Sequence, residues 1–207
     1  MVEVLHLLAA WFLHLDVHLA GLVQQYGAWV YALLFVVVFI ETGVVVFPFL
    51  PGDSLLFAAG AMSAQGWFSP WLLLFLLCLA AVAGDGVNFF FGALARRKAL
   101  DMRRFIKQDH LQKTQKFFAL HGGKTIVLAR FMPIVRTLAP FVAGIGAMPA
   151  HVFLRYNVVG GTLWVGSLLL VGYSLGTLPW LQQHLTVAIL GIVFLSIMPA
   201  IWGALRK

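Results

Sequence analysis

The segment from Phe39 to Met62 places two acidic residues, Glu41 and Asp53, in otherwise apolar sequence. An acid at the centre of a bilayer costs about 2.5–3.5 kcal/mol on insertion scales, so such residues normally face protein or water and mark a functional path. Three helix-breaking residues separate the two acids: Pro48, Pro51 and Gly52. A helix broken at membrane depth is tolerated where its freed backbone groups face protein or a watery cavity. The segment therefore predicts a re-entrant or discontinuous helix that lines a site.

A second segment of similar construction runs from Leu128 to Met148 and carries Arg130 and Arg136 in place of the acids. Its breakers are Pro133 and Pro140. Residues six apart on an unbroken helix point about 240° apart, whereas a break at Pro133 lets both guanidinium groups converge. The sequence thus predicts twin broken hairpins, one acidic and one basic.

The composition is that of a membrane protein. The chain has 62% hydrophobic and 10% charged residues over 207 positions, whereas soluble domains contain about 45–50% apolar and 25% charged residues. The net charge of +7 would suit nucleic acid, but no lysine or arginine precedes Arg96, and the aromatic residues lie in apolar runs. We therefore interpret the basic residues as topology signals and expect no nucleic-acid partner.

The sequence predicts neither a metal nor a cofactor. Cys78 is the single cysteine, which excludes an intrachain disulfide and a multi-cysteine metal site. His14 and His18 are four residues apart, a spacing that suits a metal ion, but no third ligand is evident.

We predict an all-α polytopic membrane protein made of one domain in five consecutive parts. These are an interfacial or spanning N-terminal helix (1–27), a first repeat (28–95), a basic amphipathic cytoplasmic segment (96–123), a second repeat (124–178) and a C-terminal span with its tail (179–207). Within the repeats, the long spans are expected at 71–95 and 152–178. Small residues in the first long span predict close helix packing: Ala80, Gly84, Gly86 and Gly92.

Basic residues set the orientation. Six of them lie between Arg96 and Lys107, directly after the first long span, and the positive-inside tendency places that segment in the cytoplasm. Each half then reads as a hairpin, a turn and a long span, in opposite orientations, and the C-terminal tail is cytoplasmic. This is an inverted repeat of the kind found in transporters, whose sites lie at the repeat interface.

The four charged residues of the hairpins admit two interpretations. Glu41 and Asp53 could neutralise Arg130 and Arg136 as a structural staple. Alternatively, the arginine forks bind phosphate, and the acids exchange protons with the medium as a substrate competes for the same guanidinium groups. Two residues of the first long span are secondary candidates, either as members of this network or as helix-packing hydrogen bonders: Asp85 and Asn88.

These motifs together resemble the bacterial DedA family of VTT-domain membrane proteins. The resemblance is carried by Glu41, Phe49-Leu-Pro-Gly-Asp53, Gly84-Asp85, His121-Gly122, Ala129-Arg130-Phe131, Val135-Arg136-Thr137 and Phe141-Val-Ala-Gly144. It implies a protein of the bacterial inner membrane with two opposed re-entrant hairpins, dependent on the proton-motive force. It also implies membrane lipids as partners and, for this chain, flipping of the carrier lipid undecaprenyl phosphate. The family's essential acids map to Glu41 and Asp53, and its essential arginines to Arg130 and Arg136.

Other functions remain as alternatives. A small-cation/proton exchanger or a phospholipid scramblase would use the same charges. A membrane lipid phosphatase would need a Ser-Gly-His nucleophile region, and an intramembrane aspartyl protease a Gly-x-Gly-Asp element; neither is present. We therefore expect a transporter rather than an enzyme, and a homo-oligomer is compatible with the sequence.

Overall fold

A computed structural model of the chain describes residues 21, 25–44, 52–97, 122–178 and 191. The described residues form helices and contain no strand, which confirms the predicted all-helical class. In chain order the helices are α1 (Trp29–Gly43), α2 (Gly52–Ala64), α3 (Pro70–Arg97), α4 (Lys124–Ala129), α5 (Pro133–Ile145) and α6 (Ala150–Gly176). Most of the predicted N-terminal helix, of the basic segment and of the C-terminal span lies outside the described residues.

Two helices, α3 and α6, are long and apolar enough to cross a membrane. They have 28 and 27 residues, whereas about 20 suffice for the hydrocarbon core. Their bounds lie within two residues of the predicted spans 71–95 and 152–178. Both helices expose large apolar side chains along much of their length, including Trp71, Phe75, Phe90, Leu154, Leu163 and Leu170. Such a surface suits lipid rather than water.

The other four helices are too short to cross a bilayer unaided. Helix α1 ends at Gly43 and α2 begins at Gly52, and the residues 45–51 between them, with Pro48 and Pro51, lie outside the described ranges. A break in helical structure separates α4 from α5. Met132 is extended there, with φ −119° and ψ 104°, and Pro133 opens α5. Proline suits that position, since the N–H it lacks would have no helical partner.

Pro140 does not interrupt its helix, in contrast to the sequence prediction. It lies inside α5, which continues to Ile145. A proline within a helix removes one backbone hydrogen bond, and membrane helices tolerate this where neighbouring groups compensate. Both Ala139 and Ala143, on either side of Pro140, are buried in packed structure. Packing on this face therefore keeps the helix continuous through the proline.

The chain divides into two compact units. Unit one comprises residues 1–37, 49–77 and 165–207, and unit two comprises 38–48 and 78–164. In unit one, α2 is buried on nearly every side. Its glycines let backbones touch, because a β-carbon on Gly60 would overlap the carbonyl of Leu169, and one on Gly172 would overlap that of Phe57.

The turn before α3 also belongs to unit one and is held by polar contacts. Ser63 Oγ donates a hydrogen bond to the Phe68 carbonyl at 2.9 Å, and the Ser69 N–H donates to Tyr31 Oη at 2.7 Å. Gly66 has φ +86°, a conformation that glycine adopts without strain. The turn is therefore tied both to α2 and to α1.

Unit two has its own apolar core, formed where α4, α5 and α6 meet. Its buried members are Ile126, Ala129, Ala139, Ala143 and Phe153. The Phe89 ring of α3 stacks on Phe153 with centroids 4.3 Å apart. A β-carbon on Gly92 would overlap the Phe141 carbonyl, and one on Gly144 would overlap the Phe89 carbonyl. Helices α3 and α5 therefore pack backbone to backbone.

The predicted packing role of small residues in α3 holds for Gly84 and Gly92 but not for Gly86. A β-carbon on Gly84 would overlap Thr42 Oγ1, so this glycine seats α1 against α3. Nothing among the described residues lies within 4 Å of such an atom on Gly86. At 100° per residue, Gly86 lies about 160° around the helix from Gly84 and about 120° from Gly92, so it points to a different side of the helix from both.

Candidate functional site

Two buried ion pairs lie in unit two. Arg136 of α5 pairs with Glu41 near the end of α1, and Arg130 at the end of α4 pairs with Asp85 of α3. All four side chains are at most 4% exposed. Removing one partner of such a pair leaves an uncompensated buried charge, which costs about 3–5 kcal/mol. Each arginine therefore has its own carboxylate, contributed by a different helix.

Arg130 uses only part of its guanidinium group. Its Nη2, which carries two N–H donors, donates to Asp85 Oδ2 and to Asn157 Oδ1 at 2.5 Å, and the Ala81 carbonyl shares one of these donors at 3.3 Å. Nε and Nη1 are buried, and neither has a hydrogen-bond partner among the described residues. A guanidinium carries five N–H donors in a planar fork. The N–H donors on Nε and Nη1 of Arg130 are thus available to a ligand and shielded from bulk water.

Trp164 of α6 lies beneath both arginines. The Cζ atom of Arg136 is 4.5 Å from the Trp164 ring centroid, and that of Arg130 is 5.8 Å from the same centroid. A guanidinium over an aromatic face gains about 0.5–2 kcal/mol, with the larger values at desolvated sites. Trp164 itself is 2% exposed. One indole therefore brings the two cationic groups to a common surface, as the break at Pro133 predicts.

Asn88 ties together the backbones that carry the second ion pair. Its Nδ2 donates to the Thr42 carbonyl at 3.2 Å and to the Thr137 carbonyl at 2.8 Å. Thr42 follows Glu41 in the chain, and Thr137 follows Arg136. These two hydrogen bonds of Asn88 do not involve Asp85, so the two residues have separate partners.

Glycines make room for Arg130. A β-carbon on Gly160 would lie 3.2 Å from Arg130 Cδ, and one on Gly161 would lie 3.5 Å from Arg130 Cζ. One turn earlier on the same face of the helix, Asn157 orients the guanidinium. Asn157 is itself fixed by its Nδ2, which donates to the Val82 carbonyl at 3.0 Å. The α6 segment from Asn157 to Gly161 is thus shaped around one arginine.

Asp53 lies in unit one, in the first turn of α2, and is half-buried. A carboxylate in the first turn of a helix is stabilised by the positive end of the helix dipole, by about 0.3–1 kcal/mol at exposed positions. The other members of the predicted site, Glu41, Arg130 and Arg136, are all in unit two.

Two comparisons with known proteins decide the family. The VTT domain family matches residues 50–174. Protein DedA of Escherichia coli is 46% identical over 208 residues, covering 99% of this chain and 95% of DedA. The chain belongs to the DedA family of VTT-domain proteins. This confirms the resemblance carried by its motifs.

Other relatives of this DedA-family chain are named as membrane proteins. An uncharacterized membrane protein of Mycobacterium leprae is 40% identical over 174 residues, covering 82% of this chain and 77% of that protein. The inner membrane protein YghB of Escherichia coli is 34% identical over 158 residues, covering 75% of this chain and 72% of YghB. No solved structure matches the chain with statistical significance. With the two long apolar helices, these relatives establish a membrane protein.

Sequence reasoning missed two residues of the site in this DedA-family chain, Asn157 and Trp164. Both lie in α6, which the sequence predicts only as a long span at 152–178. Asn157 carried a usable signal, because an amide inside an apolar 27-residue helix needs a polar partner. Trp164 carried none, since a tryptophan in a membrane helix is ordinary. Among the described residues, no group of three or more His, Cys, Asp or Glu side chains could hold a metal.

Proposed function

We propose that this chain is a lipid transporter of the bacterial inner membrane that depends on the proton-motive force and carries undecaprenyl phosphate. The observation that carries the proposal is the state of Arg130. It is buried, it is held by Asp85 and Asn157 through one nitrogen, and its Nε and Nη1 donate to no described residue. A phosphate oxygen pair fits the fork of a guanidinium, and a desolvated site strengthens that interaction.

Arg136 and Trp164 complete the proposed headgroup site. Arg136 lies over the same indole ring as Arg130, so both cations face one region from separate helices. A phosphate monoester has a charge between −1 and −2 near neutral pH. The two arginines are already paired with Asp85 and Glu41, so they balance the phosphate only when a carboxylate is displaced or protonated. The prenyl chain of the substrate would remain in lipid, against the exposed apolar faces of α3 and α6.

The acids supply the coupling in this proposal. Glu41 is fully buried and pairs with Arg136, so a headgroup that engages Arg136 competes with the Glu41 carboxylate. A carboxylate that loses its cationic partner in a buried site takes up a proton, because burial disfavours its charged form. Asp53, in the first turn of α2, is the second acid proposed to carry a proton. A proton gradient would then favour release of the headgroup on one side of the membrane.

The helix break before Pro133, together with the break predicted at Pro48, Pro51 and Gly52, supports a transport path. We propose that α1 with α2, and α4 with α5, are two re-entrant hairpins of an inverted repeat, opening on opposite sides of the membrane with the basic segment and the C-terminal tail in the cytoplasm. Broken helices at membrane depth are a recurrent way of building a substrate site that can open to either side.

Reconstitution tests the proposal. Purified protein in liposomes is given a fluorescently labelled polyprenyl phosphate, and the label remaining on the outer leaflet is measured with and without a pH gradient. We expect gradient-dependent translocation in the wild type and its loss in Arg130→Gln, with labelled polyprenol as the uncharged control substrate. If the wild type moves no polyprenyl phosphate but dissipates a pH gradient when a small cation is added, an exchanger replaces this function.

A further inference from the structure

Asp85 is the partner of Arg130, which decides between the two roles that the sequence left open for it. Its Oδ2 accepts from Arg130 Nη2, and its Oδ1 has no hydrogen-bond partner among the described residues. The carboxylate is 1% exposed. A purely structural carboxylate in such a place is normally satisfied through both oxygens, because an unsatisfied buried acceptor costs about 1–3 kcal/mol. Asp85 therefore grips Arg130 through one oxygen only.

The guanidinium group shows a matching division. All its described hydrogen bonds leave from Nη2, and the Nε and Nη1 donors remain available. An anion that approaches the Nε edge or the Nη1 end would meet a cation whose charge is already balanced by Asp85. Since two anions compete for one positive charge in a dry environment, each weakens the hold of the other.

We propose that Asp85 is a built-in competitor for the phosphate group at Arg130: it keeps the empty site neutral and limits how tightly and how long a phosphate binds. This inference rests on the proposed function, because it concerns the ligand of the same arginine. Asp85 would thereby promote release of the ligand, a role separate from the proton-carrying role proposed for Glu41 and Asp53. The ligand chemistry is a phosphate, either as a lipid headgroup or as free inorganic phosphate.

The charges around Asp85 and its partner Arg130 support the role of Asp85 as a competitor of phosphate. Arg130 contacts it directly, and Arg136 on α5 is near enough to interact electrostatically. Arg136 is balanced by Glu41 of α1. Helix α6 contributes Asn157 and Trp164, which are uncharged, and Cys78 on the same helix as Asp85 lies near Arg130. The described site is thus two cations balanced by two carboxylates, and an arriving phosphate is in electrostatic excess until one carboxylate yields.

The test is binding to purified full-length protein in lipid nanodiscs, with farnesyl phosphate and inorganic phosphate as separate probes and farnesol as the uncharged control. Asp85→Asn keeps the size and the hydrogen-bonding reach of the side chain but removes its charge. We expect it to bind farnesyl phosphate at least about ten-fold more tightly than the wild type, with slower dissociation. Asp85→Glu keeps the charge and should retain an affinity close to that of the wild type.

A charge relocation keeps the test decisive if Asp85→Asn folds poorly. Asn157 Oδ1 lies 2.5 Å from the same Nη2 atom, so Asn157→Asp adds a second competing carboxylate and should weaken binding at least about ten-fold. The double variant Asp85→Asn with Asn157→Asp moves the carboxylate across the guanidinium and should restore an affinity near that of the wild type. A loss of packing alone would not be rescued in this way.

The outcomes separate the inference from the function beneath it. If neither the wild type nor Asp85→Asn binds either phosphate probe, the proposed function fails, and the competitor role fails with it. If the wild type binds farnesyl phosphate but Asp85→Asn binds it equally or more weakly, and the double variant does not recover, the competitor role is wrong while the transporter stands. Tighter binding of both probes by Asp85→Asn supports a site for phosphate itself, and tighter binding of farnesyl phosphate alone supports a lipid headgroup site.

Discussion

The Arg136–Glu41 pair allows a quantitative test through a double-mutant cycle of Glu41→Gln, Arg136→Met and the double variant. The two side chains are 4% and 0% exposed, so neither charge can be solvated by a small movement. Each single substitution leaves one buried charge without its partner and should lower the free energy of unfolding by about 3–5 kcal/mol. The double variant removes both charges, so its loss should fall short of the sum of the single losses by at least about 1.5 kcal/mol.

The assay is reversible unfolding in mixed micelles, followed by far-UV circular dichroism as the denaturing detergent fraction is raised. Arg136→Lys is the matched control, because it keeps a positive charge opposite Glu41 and over the Trp164 ring and should lose less stability than Arg136→Met. Losses that add to within about 0.5 kcal/mol would indicate independent sites. That result would refute the conclusion that the two residues form a coupled, desolvated pair.

Three further predictions follow from the same geometry. Arg130→Lys keeps the charge but loses the planar fork. The rate of translocation of labelled polyprenyl phosphate should therefore fall at least about ten-fold, equivalent to about 1.4 kcal/mol or more, while the unfolding midpoint moves little. Comparable losses of translocation and of stability would indicate a purely structural role for Arg130. Trp164→Phe should retain more transport than Trp164→Leu, because only an aromatic ring keeps a π face under both guanidinium groups; indistinguishable variants would contradict a cation–π role. Single cysteines at Lys107 and Ser69 in a Cys78→Ala background should label from opposite sides of the membrane, and labelling of both from the periplasmic side would overturn the proposed topology.

The sequence was sufficient to locate the two long apolar helices and the helix break at Pro133. Each could be placed to within two residues, because apolar runs and proline act locally. The same local logic failed at Pro140, where tertiary packing around Ala139 and Ala143 outweighs the lost backbone hydrogen bond. It failed again at Gly86, since the sequence shows that a residue is small but not which side of the helix meets a neighbour.

The sequence could not settle which carboxylate pairs with which guanidinium group. The charges of the two predicted hairpins were expected to neutralise each other, and Glu41 does pair with Arg136. Arg130, however, pairs with Asp85, a residue of the first long span that the sequence offers only as a secondary candidate. Which carboxylate meets which guanidinium depends on how helices are rotated about their axes. Asn157 shows the same limit, because its partners Arg130 and Val82 lie 27 and 75 positions away in the chain. Such contacts are fixed by packing and leave no local pattern.

The two hydrogen bonds of Asn88 have a mechanical consequence. One amide nitrogen holds the carbonyls of Thr42 and Thr137, the residues that immediately follow Glu41 and Arg136. Any movement that draws Glu41 away from Arg136 also stretches one of these two hydrogen bonds of the Asn88 side chain. Both are buried, so water does not readily replace a hydrogen bond that is lost. Small displacements are therefore resisted, and once the amide releases one carbonyl, the resistance drops sharply. The end of α1 should behave as a latch with a threshold, either closed on Arg136 or fully released, with few stable positions between.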